Sequence, residues 1–147
     1  MARSRYRFAE HDRPHFLTCT VVEWLPVFTR QEAVQVLFDA WTHQQQQDGL
    51  QLYGFVVLEN HLHAVAQAPD LPKTWRGFKS FTARQLLDLL RAYGAQPLLD
   101  RMAFAYKAHR IPINPIDVAS PCLRQFWLRT IERADQRCFI PPETPPA

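Results

Sequence analysis

The sequence predicts an α+β domain, an antiparallel sheet with helices packed on one face. Three observations lead there. Patterns of period two and of period 3.6 follow one another in the order strand, helix, strand, strand, helix. The second and third strand patterns are separated by only Glu59-Asn60, which requires them to run antiparallel. The helical patterns are apolar along one side only, as helices lying on a sheet should be. With 147 residues, 47% of them hydrophobic and 21% charged, the chain is long enough for one ordinary core. Four glycines, three cysteines and 12% aromatics exclude collagen-like, disulfide-scaffold and disordered acidic classes.

Each element has its own warrant. In Phe16 to Val22 the apolar Leu17, Cys19 and Val21 alternate with Thr18 and Thr20, a strand pattern. Thr29-Arg30-Gln31-Glu32 has the form of a capping box, which predicts a helix start. Val34, Leu37, Phe38 and Trp41 continue it at helical spacing, and Gly49 offers a left-handed cap after an end near Gln47 or Asp48. Leu50 to Leu58 and His61 to Ala68 read as two strands joined by a tight hairpin, because Asn60 tolerates positive φ. Pro72 to Arg91 reads as a helix with Trp75, Phe78, Leu86 and Leu89 on one face. Lys73, Arg76, Lys79 and Arg84 fall within an arc of roughly 140° on the other, at about 100° per residue. Leu98 to His109 predicts a further short helix. Beyond it seven of the 12 prolines accumulate, and Cys122 to Cys138 reads as an isolated helical stretch with Phe126, Trp127 and Ile131 as its apolar stripe. The expected organisation is one domain over residues 1–109 and a proline-rich, partly disordered tail over 110–147.

Charge and targeting signals narrow the partners. The net charge of +3 is too small to identify a nucleic-acid binder. Its distribution is more informative, with Arg3, Arg5, Arg7 and Arg13 crowding the start and the four helix cations lacking any acid between Asp70 and Asp88. A cationic helix face is also what an ordinary solvated surface looks like. No run of about 18 apolar residues exists to span a bilayer, and the opening Met1-Ala2-Arg3-Ser4-Arg5 has no apolar core of a secretory signal. A cytoplasmic location is the expectation. Cys19, Cys122 and Cys138 form no Cys-x-x-Cys pair and read as reduced, structural thiols.

The sharpest candidate site is His61-Leu62-His63. Residues two apart in a strand point to one face at a separation of about 7 Å, so both imidazoles can converge on one metal ion while Leu62 faces the core. Two ligands alone do not make a site, and the same spacing suits two exposed polar positions.

The run Leu52-Tyr53-Gly54-Phe55-Val56-Val57-Leu58-Glu59-Asn60-His61-Leu62-His63-Ala64-Val65 resembles the hairpin that carries the HUH motif in REP-associated tyrosine transposases, relatives of the single-tyrosine transposases. Phe78-Lys79-Ser80-Phe81-Thr82-Ala83-Arg84 is similar to the stretch that follows the motif there. Tyr6-Arg7 and Phe16-Leu17-Thr18 resemble the opening, and the likeness covers residues 5–109. The resemblance implies a ferredoxin-like sheet, and a Mg²⁺ or Mn²⁺ ion held by His61, His63 and a third polar ligand. It also implies a tyrosine that attacks single-stranded DNA near a hairpin to give a 5′-phosphotyrosine and a free 3′-OH. On this reading Arg3, Arg5, Arg7, Lys73, Arg76, Lys79 and Arg84 hold the DNA backbone. The family's Tyr-Ile-x-x-Asn-Pro pattern is missing, since the residue four before Asn114-Pro115 is Arg110. Tyr106, the last tyrosine of the chain, is the substitute nucleophile, with simple packing as its other reading. The loss of likeness beyond Arg110 suggests a frameshifted or truncated C-terminus. Two further functions follow from these departures: a catalytically inactive DNA-binding remnant, and a small metal-binding module unrelated to DNA.

Overall fold

The computed structural model describes residues 13–108 together with residues 126, 127, 131 and 132. In chain order the elements are β1 (His15–Thr20), a 3₁₀ turn (Val22–Trp24), α1 (Gln31–Gln47), β2 (Gln51–Val57), β3 (His61–Gln67), α2 (Leu71–Ala92), α3 (Gln96–Ala108) and β4 (Ile131–Glu132). The strands lie in the order β2-β3-β1-β4, each antiparallel to its neighbour. This is the ferredoxin-like β-α-β-β-α-β arrangement with α3 added before the last strand. No helix of the described residues is long and apolar enough to cross a membrane.

The period of two decides which side chains make the core. Leu17 and Cys19 of β1 and Leu62, Ala64 and Ala66 of β3 are fully buried toward the helices, while Phe16, Thr18, His61, His63 and Val65 on the opposite face are only half-buried. α2 packs on this face through its aromatic side chains. Its Trp75 donates an indole N–H to Cys19 Sγ at 3.3 Å, and Phe78 stacks between Trp75 (4.7 Å) and Trp41 of α1 (5.4 Å). Burying a ring of this size is worth about 1.5–3 kcal/mol, so Phe78 at the centre of three rings is a principal anchor of helix to sheet. Gln44, 5% exposed, ties the two helices by donating from Nε2 to the Thr74 carbonyl.

Several sequence expectations need correction. The capping box does not form: Arg30 takes the N-cap position with extended backbone, its carbonyl accepts from Ala33 and Val34, and no side chain caps α1. Thr29 therefore sits one residue too early. Instead the Arg30 guanidinium lies over the Tyr93 ring at 4.4 Å. The hairpin turns at Glu59-Asn60 as expected, with Leu58 N–H donating to the His61 carbonyl, but without positive φ at either residue. Side-chain and backbone bonds from Asn60 stabilise it in place of a left-handed conformation. α2 is capped by Asp70, which accepts from Lys73 N–H at 3.1 Å, and it is apolar on more than one side. Thr82, Ala83, Leu87 and Leu90 are buried along with Phe78 and Leu86, because α2 packs against α1 and α3 as well as the sheet.

The largest correction falls in the predicted tail. Phe126 and Trp127 are buried in the core, not on an isolated helix, and Ile131–Glu132 pairs with β1 as a strand. Val22 N–H donates to the Phe126 carbonyl at 2.8 Å, Val21 bridges Trp127, and the Trp127 ring stacks on Phe28 at 5.7 Å. The backbone of these residues finds its partners across β1, which an amphipathic pattern read locally does not reveal. Cys122 and Cys138 lie outside the described residues, and Cys19 is a buried thiol that accepts the Trp75 indole N–H.

Candidate metal site on the open face of the sheet

β3 starts at His61, directly after the hairpin, and its alternation sends Leu62 into the core and both histidines to the face away from the helices. The two imidazole centroids are 5.0 Å apart with the rings nearly perpendicular. Each ring is held through Nδ1. His61 Nδ1 lies 2.7 Å from Asn60 Oδ1, and His63 Nδ1 lies 2.9 Å from Thr18 Oγ1 on the paired residue of β1. Asn60 Nδ2 makes a long contact of 3.4 Å to the Trp24 carbonyl, which fixes the amide so that Oδ1 faces the imidazole. His61 must then donate from Nδ1 and keep a lone pair on Nε2. In the matching tautomer of His63, Nδ1 would donate to the threonine hydroxyl and leave Nε2 its lone pair.

This is the supporting arrangement a metal-binding histidine needs, in which the second nitrogen is tied so that the first is aimed and basic. Electrostatics favours the same state. Partial burial, and then the neighbouring His61, push the His63 pKa below the ordinary imidazole value, so its lone pair is available at neutral pH. Phe16 stacks on His63 at 5.3 Å and limits the orientations of the ring. The residues therefore fit two ligand positions of a divalent ion. Among the described residues no cluster of three His, Cys, Asp or Glu side chains forms, so a third protein ligand is not found there.

Trp24 completes this face in a T-shaped contact with His61, ring centroids 5.8 Å apart. No pattern in the sequence signals it. Glu23 and Trp24 both adopt positive φ (54° each), a conformation that costs side-chain-bearing residues about 1–2 kcal/mol apiece. The turn is held nevertheless by bonds from Trp24 N–H to the Val21 carbonyl and from Val21 N–H to the Asn60 carbonyl.

Among the described residues, the other candidate side chains are not gathered here. Lys73, Arg76 and Arg84 are exposed on α2, which covers the Cys19 face of the sheet and lies across it from the histidines. Lys79 is half-buried between α2 and the sheet, where burial lowers its ammonium pKa while its interaction with Cys19 acts in the opposite direction. Arg3, Arg5 and Arg7 lie outside the described residues. Tyr106 lies on α3, which packs against the 3₁₀ turn, and its side chain lies outside the described residues. A cavity of about 380 Å³ between the 26–30 loop, the end of α2 and α3 has a mixed polar and apolar lining and does not include the histidines.

No family model matches the chain, and no curated protein matches it. Among solved structures, it is similar to a candidate transposase from Deinococcus radiodurans R1, at 18% identity and a TM-score of 0.46, over 61% of this chain and 71% of that one.

Proposed function

We propose that this chain is a transposase-like domain that binds single-stranded DNA at hairpin-forming repeats and cleaves and rejoins it with a Mg²⁺ or Mn²⁺ ion. The observation that carries the reading is the pair His61 and His63, two converging imidazoles whose Nδ1 atoms are both tied back, on a hairpin resembling the HUH motif. His61 and His63 would hold the ion through Nε2. Bound there, it would polarise the scissile phosphate and steady charge on the leaving oxygen.

Asn60 and Thr18 act as positioning residues, since each ties one imidazole through its Nδ1. Tyr106 is the proposed nucleophile, supported by its place on α3, the helix packed against the turn beside His61. Its phenolic oxygen forms a bond to phosphorus as the bond from phosphorus to the 3′-oxygen breaks. The products are a 5′-phosphotyrosine and a 3′-oxygen that takes up a proton. A phenol with a pKa near 10 is a weak nucleophile at pH 7 and needs its proton removed as it attacks.

The test is incubation of the full chain with a labelled single-stranded DNA hairpin, with and without Mn²⁺, followed by denaturing electrophoresis. A metal-dependent covalent adduct, lost in His61→Ala and in Tyr106→Phe, is the expected result. An adduct that survives Tyr106→Phe moves the nucleophile elsewhere. Intact DNA with binding that weakens steeply as salt rises identifies a remnant that binds without cutting, and absence of binding refutes the DNA reading.

A further inference from the structure

We infer that Trp24 is a stacking platform for one unpaired nucleobase of the strand engaged at the histidine pair, an inference that rests on the proposed single-stranded DNA function. Four tryptophans occur in the chain. Three of them, Trp41, Trp75 and Trp127, are 2–4% exposed and form the core, whereas Trp24 is 59% exposed. An indole in water is not explained by packing, and here it is also held in a backbone conformation that its residue type disfavours. Residues kept in such strain by the surrounding bonds are found where a side chain must be presented in one direction. The direction here is toward the histidines: Trp24 meets His61 in a T-shaped contact and keeps 59% of its surface open beside the place a phosphate would occupy.

The anchoring points the same way. Asn60 contacts the Trp24 carbonyl with its amide and His61 with its Oδ1, so one side chain sets both the tryptophan turn and the first imidazole. A group recognised on this face has a phosphate beside the ion that His61 and His63 would hold and a flat, apolar ring within reach of Trp24. An unpaired nucleotide has both, whereas a paired base in a duplex has no free face to offer. Stacking of this kind tolerates any base, because every base has a π-face.

Burial of the other three indoles makes the test specific, since solvent-exposed tryptophan emission reports Trp24. Oligothymidine is titrated into the full chain in the presence of Mg²⁺ while the long-wavelength tryptophan emission and the anisotropy of a dye on the oligonucleotide are followed together. The expected result is quenching that saturates with binding, is absent with an abasic strand of equal length, and disappears in Trp24→Gly, with affinity lowered roughly 5- to 150-fold. Glycine is chosen because it keeps positive φ without strain. Trp24→Phe should restore most of the affinity. Binding without quenching, or equal affinity of Trp24→Gly and the parent, overturns the stacking role and leaves the proposed function standing. No binding of oligothymidine or of the DNA hairpin overturns the proposed function and this inference with it.

Discussion

Thr82 shows how much one buried hydroxyl can hold. Its Oγ1 donates to the Phe78 carbonyl at 2.7 Å and accepts the Trp127 indole N–H at 3.1 Å, with no exposure to water. It thereby joins α2 to a residue 45 positions later in the chain. Thr82→Val keeps the shape but leaves the indole N–H buried and unpaired, which should cost about 1–3 kcal/mol in urea unfolding. Trp127→Phe removes the donor together with part of the ring. Their double variant should therefore lose less than the two single losses added, by about 0.5–3 kcal/mol. Strict additivity would show that the bond contributes nothing. The histidine pair was legible in the sequence because strand alternation alone brings the two rings to one face. Trp24 was not, since its position depends on two side-chain-bearing residues at positive φ, and no rule of composition or spacing signals that.

The elements divide by how local their causes are. α2 and the hairpin are set by neighbours in sequence, Asp70 as cap and Glu59-Asn60 as turn, and both were readable within a residue or two. β4 exists only because β1 presents an unpaired edge more than 100 residues earlier, so a local helical pattern misled. The end of α1 is a local case with a clear test. Gly49 has φ +67°, and both Asp48 N–H and Leu50 N–H return to the Gln44 carbonyl. A Cβ there would meet Pro69 Cδ at 3.4 Å, an ordinary contact, so conformation and not crowding sets the cost of substitution. Gly49→Ala should lower stability by about 1–2 kcal/mol. Gly54→Ala, where φ is not positive and nothing lies within 4 Å, should stay within about 0.5 kcal/mol of the parent. Equal effects at the two positions would contradict a left-handed cap at Gly49.

Across the whole molecule, the sheet separates the two features that the sequence suggested would act together. The histidines occupy its open face, and Lys73, Arg76 and Arg84 occupy α2 on the other side. A helix is about 10–12 Å across with its side chains, so outward-facing cations on α2 lie more than a Debye length, about 8 Å at 0.15 M salt, from anything bound at the histidines. A phosphate held at His61 and His63 should scarcely feel them at physiological salt. They can contribute only if a longer strand passes around an edge of the sheet. The variant carrying Lys73→Ala, Arg76→Ala and Arg84→Ala should accordingly bind an oligonucleotide too short to leave the open face as the parent does. For a long strand its salt slope, log affinity against log salt, should be shallower by about 2, three contacts at roughly 0.7 each. Equal losses with both lengths would place the cations at the histidine face, against the observed layering. No loss with either would make α2 an ordinary solvated helix and leave nucleic-acid affinity to the other candidates, the imidazole pair with its aromatic neighbours and the N-terminal arginines.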